Sequence, residues 1–92
     1  MKLVRVHVFI FGSVQGIGFR FSTKHKADAL GLKGWVRNYL DYVEAVFEGS
    51  ENKVNEMIDW CRKGPPTARV EKVEVNIEKY TGEFEEFGII QY

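Results

Sequence analysis

The 92-residue sequence lacks several of the features that define major protein classes. A single cysteine, Cys61, excludes an internal disulfide and a zinc site built from cysteines. No apolar run approaches the roughly 20 residues that span a membrane, and residues 1–10 alternate in polarity instead of forming the apolar centre of a signal peptide. We therefore expect a cytoplasmic protein that does not associate with membranes.

The sequence also lacks net charge, because 13 Lys and Arg residues balance 13 Asp and Glu residues. Domains that wrap nucleic acid are usually strongly basic, so neutrality argues against a nucleic-acid partner. The charges are unevenly distributed, however. Residues 1–37 carry seven basic and one acidic residue, a balance of +6, whereas residues 38–92 carry six basic and twelve acidic residues, a balance of −6. The positive first part is compatible with a site for one small anion.

The apolar content of the sequence is sufficient for one hydrophobic core. Apolar residues make up 45% of the chain, which is typical of a folded domain and not of a disordered one. No repeat, low-complexity segment or linker divides the sequence. We predict a single domain over residues 1–92 that acts as a monomer.

Apolar periodicity predicts five strands and two helices. The predicted strands cover residues 3–11, 35–40, 42–48, 69–79 and 87–92, with a tight turn around Asp41. One predicted helix follows Gly18 and ends at Gly31, and the other is capped by Ser50 and ends at Gly64. This βαββαβ order plus a short C-terminal strand is typical of the α+β, ferredoxin-like two-layer sandwich, in which two helices cover one face of an antiparallel sheet.

The segment 12–20, GSVQGIGFR, places three glycines and an arginine between the first strand and the first helix. Glycine reaches positive φ and lets a ligand approach the backbone, and the N–H groups of such a loop at a helix N-terminus bind anions. A cation in the first helical turn is unfavourable unless an anion lies beside it. The loop therefore predicts a phosphate site. The predicted contacts are the side chain of Arg20 and the backbone of Gln15, Gly16, Ile17, Gly18 and Phe19.

Other types of site fit this segment less well. A dinucleotide fingerprint needs a third glycine, which residues 16–21 lack, and a Walker loop needs Gly-Lys-Ser or Gly-Lys-Thr. The same residues faintly resemble an RNA-recognition motif, but aromatic residues between a strand and a helix cannot form its stacking platform. His7 and His25 have no acidic or cysteine companion at metal-ligand spacing, and Cys61 falls on an apolar helical face, as an inert core thiol would.

Three segments resemble the acylphosphatase family. Residues 12–20 are similar to its signature loop, G-x-V-Q-G-V-x-F-R, and residues 34–38, GWVRN, are similar to its second signature. Residues 64–70, GPPTARV, resemble the segment that leads into its fourth strand. The matches follow the family's order and span most of the chain.

The resemblance implies metal-independent hydrolysis of a small-molecule acyl phosphate to a carboxylate and inorganic phosphate, with no cofactor. It also implies that Arg20 binds the phosphoryl group and that Asn38 positions the attacking water. The chemistry is reasonable, since the leaving carboxylate has a conjugate-acid pKa of about 4–5 and needs no general acid. The loose transition state of phosphoryl transfer mainly requires positioning and stabilisation of the phosphoryl oxygens.

The hairpin after Asn38 departs from the family pattern. Residues 38–43, NYLDYV, lack the glycine and small hydroxyl residue common there and are about one residue shorter. We expect a tighter hairpin that changes the position of the Asn38 amide and hence the turnover rate. This departure favours the alternative hypothesis, a non-catalytic phosphate-binding or regulatory module on the same fold.

Overall fold

The computed structural model describes residues 1–91, and within them the secondary-structure elements follow in the predicted order. The strands and helices are β1 (Leu3–Ser13), α1 (Phe19–Ala29), β2 (Lys33–Tyr39), β3 (Tyr42–Ser50), α2 (Glu51–Lys63), β4 (Arg69–Glu78) and β5 (Phe87–Ile89). The last strand is shorter than predicted, and residue 92 of that prediction lies outside the described residues.

The strands form one sheet in the order β4-β1-β3-β2-β5. The first four pair antiparallel as predicted, whereas β5 lies parallel to β2, a direction that the sequence pattern did not specify. Because β1 and β2 each pair antiparallel with β3, they run parallel to each other. Their carboxyl ends therefore lie at the same edge of the sheet.

Both helices pack on one face of the sheet, which we call the helix face. Alternate β1 residues, Val6, Val8 and Ile10, are buried there in one core with both helices. The buried helical residues recur at helical spacing: Phe19, Thr23 and Ala27 in α1, and Val54, Met57 and Cys61 in α2. The ferredoxin-like prediction is confirmed. Among residues 1–91, neither helix is long and apolar enough to cross a bilayer.

A glycine follows the C-terminus of α1, as predicted. Gly31 has φ 71°, its N–H donates to the carbonyl of Asp28 at 3.0 Å, and the N–H of Leu32 donates to the carbonyl of Ala27 at 2.9 Å. This pair of bonds is the Schellman arrangement, in which a left-handed residue reverses the chain. It turns the chain from α1 directly into β2.

The start of α2 differs in detail from the prediction. Ser50 is its N-cap residue, but the Ser50 hydroxyl makes no capping hydrogen bond. Instead, the N–H of Glu51 donates to the carbonyl of Lys2 at 2.9 Å, so a long-range backbone contact satisfies one free donor of the helix end.

Candidate active site

Three segments meet at the edge of the sheet where β1 and β2 end; we call it the loop edge. Residues 14–18 follow β1, residues 38–42 contain the end of β2 and the turn into β3, and residues 64–68 precede β4, which runs antiparallel to β1. The first and third segments touch, since the Thr67 hydroxyl donates to the carbonyl of Ile17 at 3.5 Å. The topology therefore gathers the three segments that resemble family motifs.

The loop after β1 has a left-handed backbone at both of its central glycines. Gly16 has φ 76° and Gly18 has φ 78°, and a Cβ added at either position would meet no atom within 4 Å. The backbone conformation therefore requires glycine here, while the space beside it is open. Val14 and Phe19, which flank this part of the loop, are buried in the core and anchor it.

The N-terminus of α1 is free of acidic side chains. Gly18 is the N-cap residue, no side chain caps the helix, and its first turn contains no acidic residue. The first N–H groups of a helix have no intrahelical partner, and the helix dipole makes them attractive to anions. An anion held by residues 15–19 would meet these groups.

Arg20 lies in this first turn and is half-buried. Within residues 1–91, no carboxylate lies within ion-pair distance of its guanidinium. A half-buried cation at the positive end of a helix, without a counter-ion, is suited to an anionic ligand.

Asn38 lies next to the last residue of β2, opposite Val43 of β3. Side chains alternate along a strand, and Val36 is buried in the helix-face core, so Asn38 also projects toward the helix face. Its Oδ1 is buried and has no hydrogen-bond donor among the described residues. An unsatisfied buried acceptor of this kind costs about 1–3 kcal/mol unless water or a ligand supplies a donor.

The side chain of Gln15 connects the loop to the hairpin. Its Nε2 donates to the carbonyl of Leu40 at 3.0 Å and to that of Tyr42 at 2.8 Å. Sequence analysis assigned a role only to the backbone of Gln15 and missed this contact. Gln15 is separated from Leu40 by 25 positions and from Tyr42 by 27, and no local sequence pattern predicts a hydrogen bond over such a distance.

The structure therefore brings the predicted site residues to one edge and one layer of the molecule. Residues 15–18 lie between β1 and α1, Phe19 and Arg20 begin α1, and Asn38 lies on the helix face of the parallel strand β2. Among residues 1–91, no group of three or more His, Cys, Asp or Glu side chains is arranged to hold a metal ion.

Cys61 lies apart from this edge, in the core face of α2. Burial raises the pKa of its thiol to about 12, so the thiol stays protonated near neutral pH. This agrees with the prediction of an inert core thiol.

Comparisons with known proteins point to one family. The sequence profile of the family described as Acylphosphatase matches residues 6–89. An acylphosphatase from Pyrobaculum calidifontis is 52% identical over 92 residues, covering 98% of this chain and 84% of that protein. An acylphosphatase from Trichormus variabilis is 56% identical over 82 residues, covering 88% of this chain and 81% of that protein.

The fold agrees with the same group of proteins. The crystal structure of acylphosphatase from Bacillus subtilis superposes with a TM-score of 0.90 at 31% identity, covering 97% of this chain and 99% of that one. Profile, relatives and fold all extend over nearly the whole chain. This chain belongs to the acylphosphatase family of hydrolases.

Proposed function

We propose that this enzyme hydrolyses small acyl phosphates at the loop edge, with Arg20 and the backbone N–H groups of residues 15–19 holding the phosphoryl group. In this proposal, the Asn38 carboxamide positions the attacking water. The reaction needs no metal ion or cofactor. The supporting observation concerns residues 1–91, where one edge of the sheet carries both a half-buried Arg20 without a counter-ion and an Asn38 acceptor without a donor.

A bound phosphoryl group would satisfy the unpaired donors of this edge. The guanidinium of Arg20 offers two parallel N–H groups to two phosphoryl oxygens, and the loop N–H groups approach the others. In the loose transition state the charge of the phosphoryl group is spread over its three equatorial oxygens, which the same donors can contact. Binding and transition-state stabilisation therefore use the same groups.

A water held by Asn38 would attack phosphorus from the side opposite the leaving acyl oxygen. As the water oxygen forms its bond to phosphorus, the bond from phosphorus to the acyl oxygen breaks, and its electron pair leaves on the carboxylate. A proton of the water passes to a phosphate oxygen, because the carboxamide of Asn38 cannot accept it. The products are a carboxylate and inorganic phosphate.

The buried position of Asn38 Oδ1 sets a condition on this role. Water reaches the acceptor either when the hairpin shifts slightly or when the carboxamide rotates by 180° and exchanges Oδ1 with Nδ2. Asn38 as a whole is half-buried, so part of the residue is accessible to solvent although its Oδ1 is not. The placement of the hairpin therefore controls whether water is held productively.

The same set of groups limits the substrate class. Acyl phosphates have a leaving group of low basicity, whereas simple phosphate esters release an alkoxide that needs an acid or a metal ion. The proposed machinery contains neither. We expect hydrolysis of acyl phosphates and no measurable hydrolysis of alkyl phosphates.

The test is phosphate release from benzoyl phosphate in the presence of EDTA, for the wild type, Arg20→Ala and Asn38→Ala. We expect wild-type activity to survive the chelator and both variants to lose about 10²–10³-fold in kcat, the effect of removing one transition-state donor or orienting group. Arg62→Ala and Asn76→Ala remove exposed residues of the same types from α2 and β4 and should retain full activity.

The alternative outcomes are distinct. A wild type that binds inorganic phosphate but releases none from benzoyl phosphate would support the non-catalytic phosphate-binding module. Full activity of Asn38→Ala would reject the water-positioning role while leaving the phosphate site intact.

A further inference from the structure

The side chain of Gln15 forms a bridge between the phosphate loop and the turn after β2. Its Nε2 donates to the carbonyls of Leu40 and Tyr42, at 3.0 and 2.8 Å, on either side of Asp41. An amide nitrogen has two hydrogens, so both donors of Gln15 are used on this one turn. The contact therefore fixes the turn in two directions relative to the loop.

Gln15 acts where the regular pairing of the sheet has stopped. The β1–β3 ladder ends at the Ile10–Val43 pair, and the pairing of β1 with its other neighbour shifts register after Phe11. The first residue of β3, Tyr42, therefore extends beyond the last β1 partner. The Gln15 side chain supplies donors that a continuing strand would otherwise provide.

The turn itself has an unfavourable backbone conformation. Leu40 has φ 51°, in the left-handed region that residues other than glycine and asparagine rarely occupy. Two-residue hairpin turns need positive φ at this position and usually have Asn or Gly there. The local sequence does not favour this conformation, so the turn depends on an outside contact.

Asn38 lies two residues before Leu40 and pairs with Val43, next to the bridged turn. We propose that the Gln15 side chain is a positioning residue that holds the end of the hairpin so that Asn38 can orient water. This inference rests on the proposed function of Asn38. It gives Gln15 two separate tasks: its backbone N–H serves the phosphate, and its side chain serves the water.

If the backbone and the side chain of Gln15 have separate tasks, a side-chain substitution should change turnover without changing phosphate binding. Gln15→Met removes both side-chain donors but keeps the backbone N–H and the length of the side chain. We expect kcat for benzoyl phosphate to fall about tenfold, since small displacements of a reacting group have large effects on rate. The inhibition constant of inorganic phosphate should change by less than about twofold. Gln91→Met, at the other glutamine and exposed, should change neither.

A second substitution tests whether the turn carries the effect. Leu40→Asn lowers the strain of the left-handed residue, and the Leu40 side chain is 76% exposed, so no core contact is lost. In the Gln15→Met background, Leu40→Asn should restore at least about half of the lost kcat on a logarithmic scale. Amide hydrogen exchange of residues 38–42 should be faster in Gln15→Met and slower again in the double variant.

Several results would overturn the inference. They are unchanged kcat in Gln15→Met, equal changes in kcat and phosphate inhibition, or no recovery with Leu40→Asn. If the wild type itself lacks turnover, the proposed function fails, and the bridge is then judged by hydrogen exchange alone. Unchanged exchange at residues 38–42 in Gln15→Met would reject the bridge independently of activity.

Discussion

Two arginines on the same sheet sandwich have opposite surroundings. Arg5 lies on the face of the sheet away from the helices, the open face, where its guanidinium contacts Glu48 at 3.5 Å, Glu78 at 2.9 Å and Glu83 at 2.8 Å. Arg20, at the loop edge, has no carboxylate partner within residues 1–91. Both are half-buried, so exposure alone does not distinguish them.

The surroundings of Arg5 form a continuous charged network. His7 lies between two carboxylates, with Nε2 2.6 Å from Glu44 and Nδ1 2.9 Å from Glu78. Arg37 donates to Glu44 at 2.7 Å. Burial lowers the pKa of the Arg5 guanidinium, but its hydrogen bonds to Glu83 and Glu78 outweigh this effect and hold the pKa above its ordinary value. The hydrogen bond to Glu44 likewise raises the pKa of the Arg37 guanidinium, against the effect of burial. Most polar groups here have a partner within the chain.

The comparison separates charges that are paired within the described residues from a charge that is suited to a ligand. On the open face, positive and negative groups satisfy each other, and the network stabilises the fold of the sheet. At the loop edge, and within the part of the chain that the structure describes, Arg20 has no carboxylate partner, the N-terminus of α1 has no side-chain cap and the Asn38 oxygen has no donor. Unsatisfied groups of this kind are maintained where a ligand completes them.

The largest expected effect comes from removing each arginine in turn. Arg20→Met should lower kcat/KM for benzoyl phosphate by about 10³-fold while the free energy of unfolding changes by less than about 0.5 kcal/mol. Arg5→Met should lower the free energy of unfolding by about 3 kcal/mol, because it leaves the buried carboxylate of Glu48 without its cation. Its kcat/KM, measured where the variant is folded, should stay within about twofold of the wild type.

Steady-state kinetics and urea unfolding of the two variants provide the measurements. Arg5→Lys retains a cation and should lie between the wild type and Arg5→Met in stability. A large stability loss in Arg20→Met, or a large activity loss in folded Arg5→Met, would show that the two regions are not separate.

A smaller effect is expected from two glycines with the same backbone conformation. Gly18 in the loop has φ 78° and Gly31 after α1 has φ 71°, and a Cβ at either would meet no atom within 4 Å. Substitution by alanine should lower the free energy of unfolding by about 1 kcal/mol in both cases. Only Gly18→Ala adds a methyl group at the proposed phosphate site, and it should weaken phosphate binding about tenfold.

Calorimetric titration with inorganic phosphate distinguishes the two variants, with Gly31→Ala as the control of equal backbone strain. Equal loss of phosphate affinity in both variants would assign the effect to general destabilisation. Unchanged affinity in Gly18→Ala would place the anion away from this glycine.

Local sequence patterns predicted the fold well because its elements are locally specified. Alternation along β1, helical spacing from Phe19 to Ala27 and the glycine after α1 each act within a few residues, and the structure has all three. The parallel direction of β5 depends on the path of residues 79–86, and the backbone bond from Glu51 to Lys2 joins distant residues. Neither the direction of β5 nor this backbone bond produces a periodic pattern in the sequence.

The family and enzyme class were predicted from motif resemblance, and both are confirmed. The individual site residues could not be predicted with the same support as the family. Locally, Arg20 resembles a surface arginine and Asn38 a turn residue. The role of Asn38 came from the resemblance and that of Arg20 from the loop together with the resemblance, and both stay predictions. The Gln15 bridge and the unsatisfied Asn38 oxygen exist only once the hairpin meets the loop, and no local pattern reports them.

The smallest expected effect concerns how far the Glu78 carboxylate of the open-face network stabilises the fold as the pH is lowered. The hydrogen bond from His7, followed by that from Arg5, holds the pKa of the Glu78 carboxyl below its ordinary value of 4.5. A lowered pKa in the folded state means that the stabilisation is fully present above pH 4.5 and is lost as the pH falls through the folded value. Because Glu78 is partly exposed, Glu78→Gln should lower the free energy of unfolding at pH 7 by less than about 1 kcal/mol.

The difference between the wild type and Glu78→Gln should therefore shrink as the pH is lowered below 4.5. Urea unfolding at pH 7, 5 and 3.5 measures it, with Glu85→Gln as an exposed carboxyl outside the network. At the loop edge, by contrast, Arg20 has no acidic partner among the described residues, so Arg20→Met should show no such acid dependence relative to the wild type. A difference for Glu78→Gln that stays constant or grows in acid would mean that His7 and Arg5 do not stabilise this carboxylate, and that the open face is less completely paired than its distances indicate.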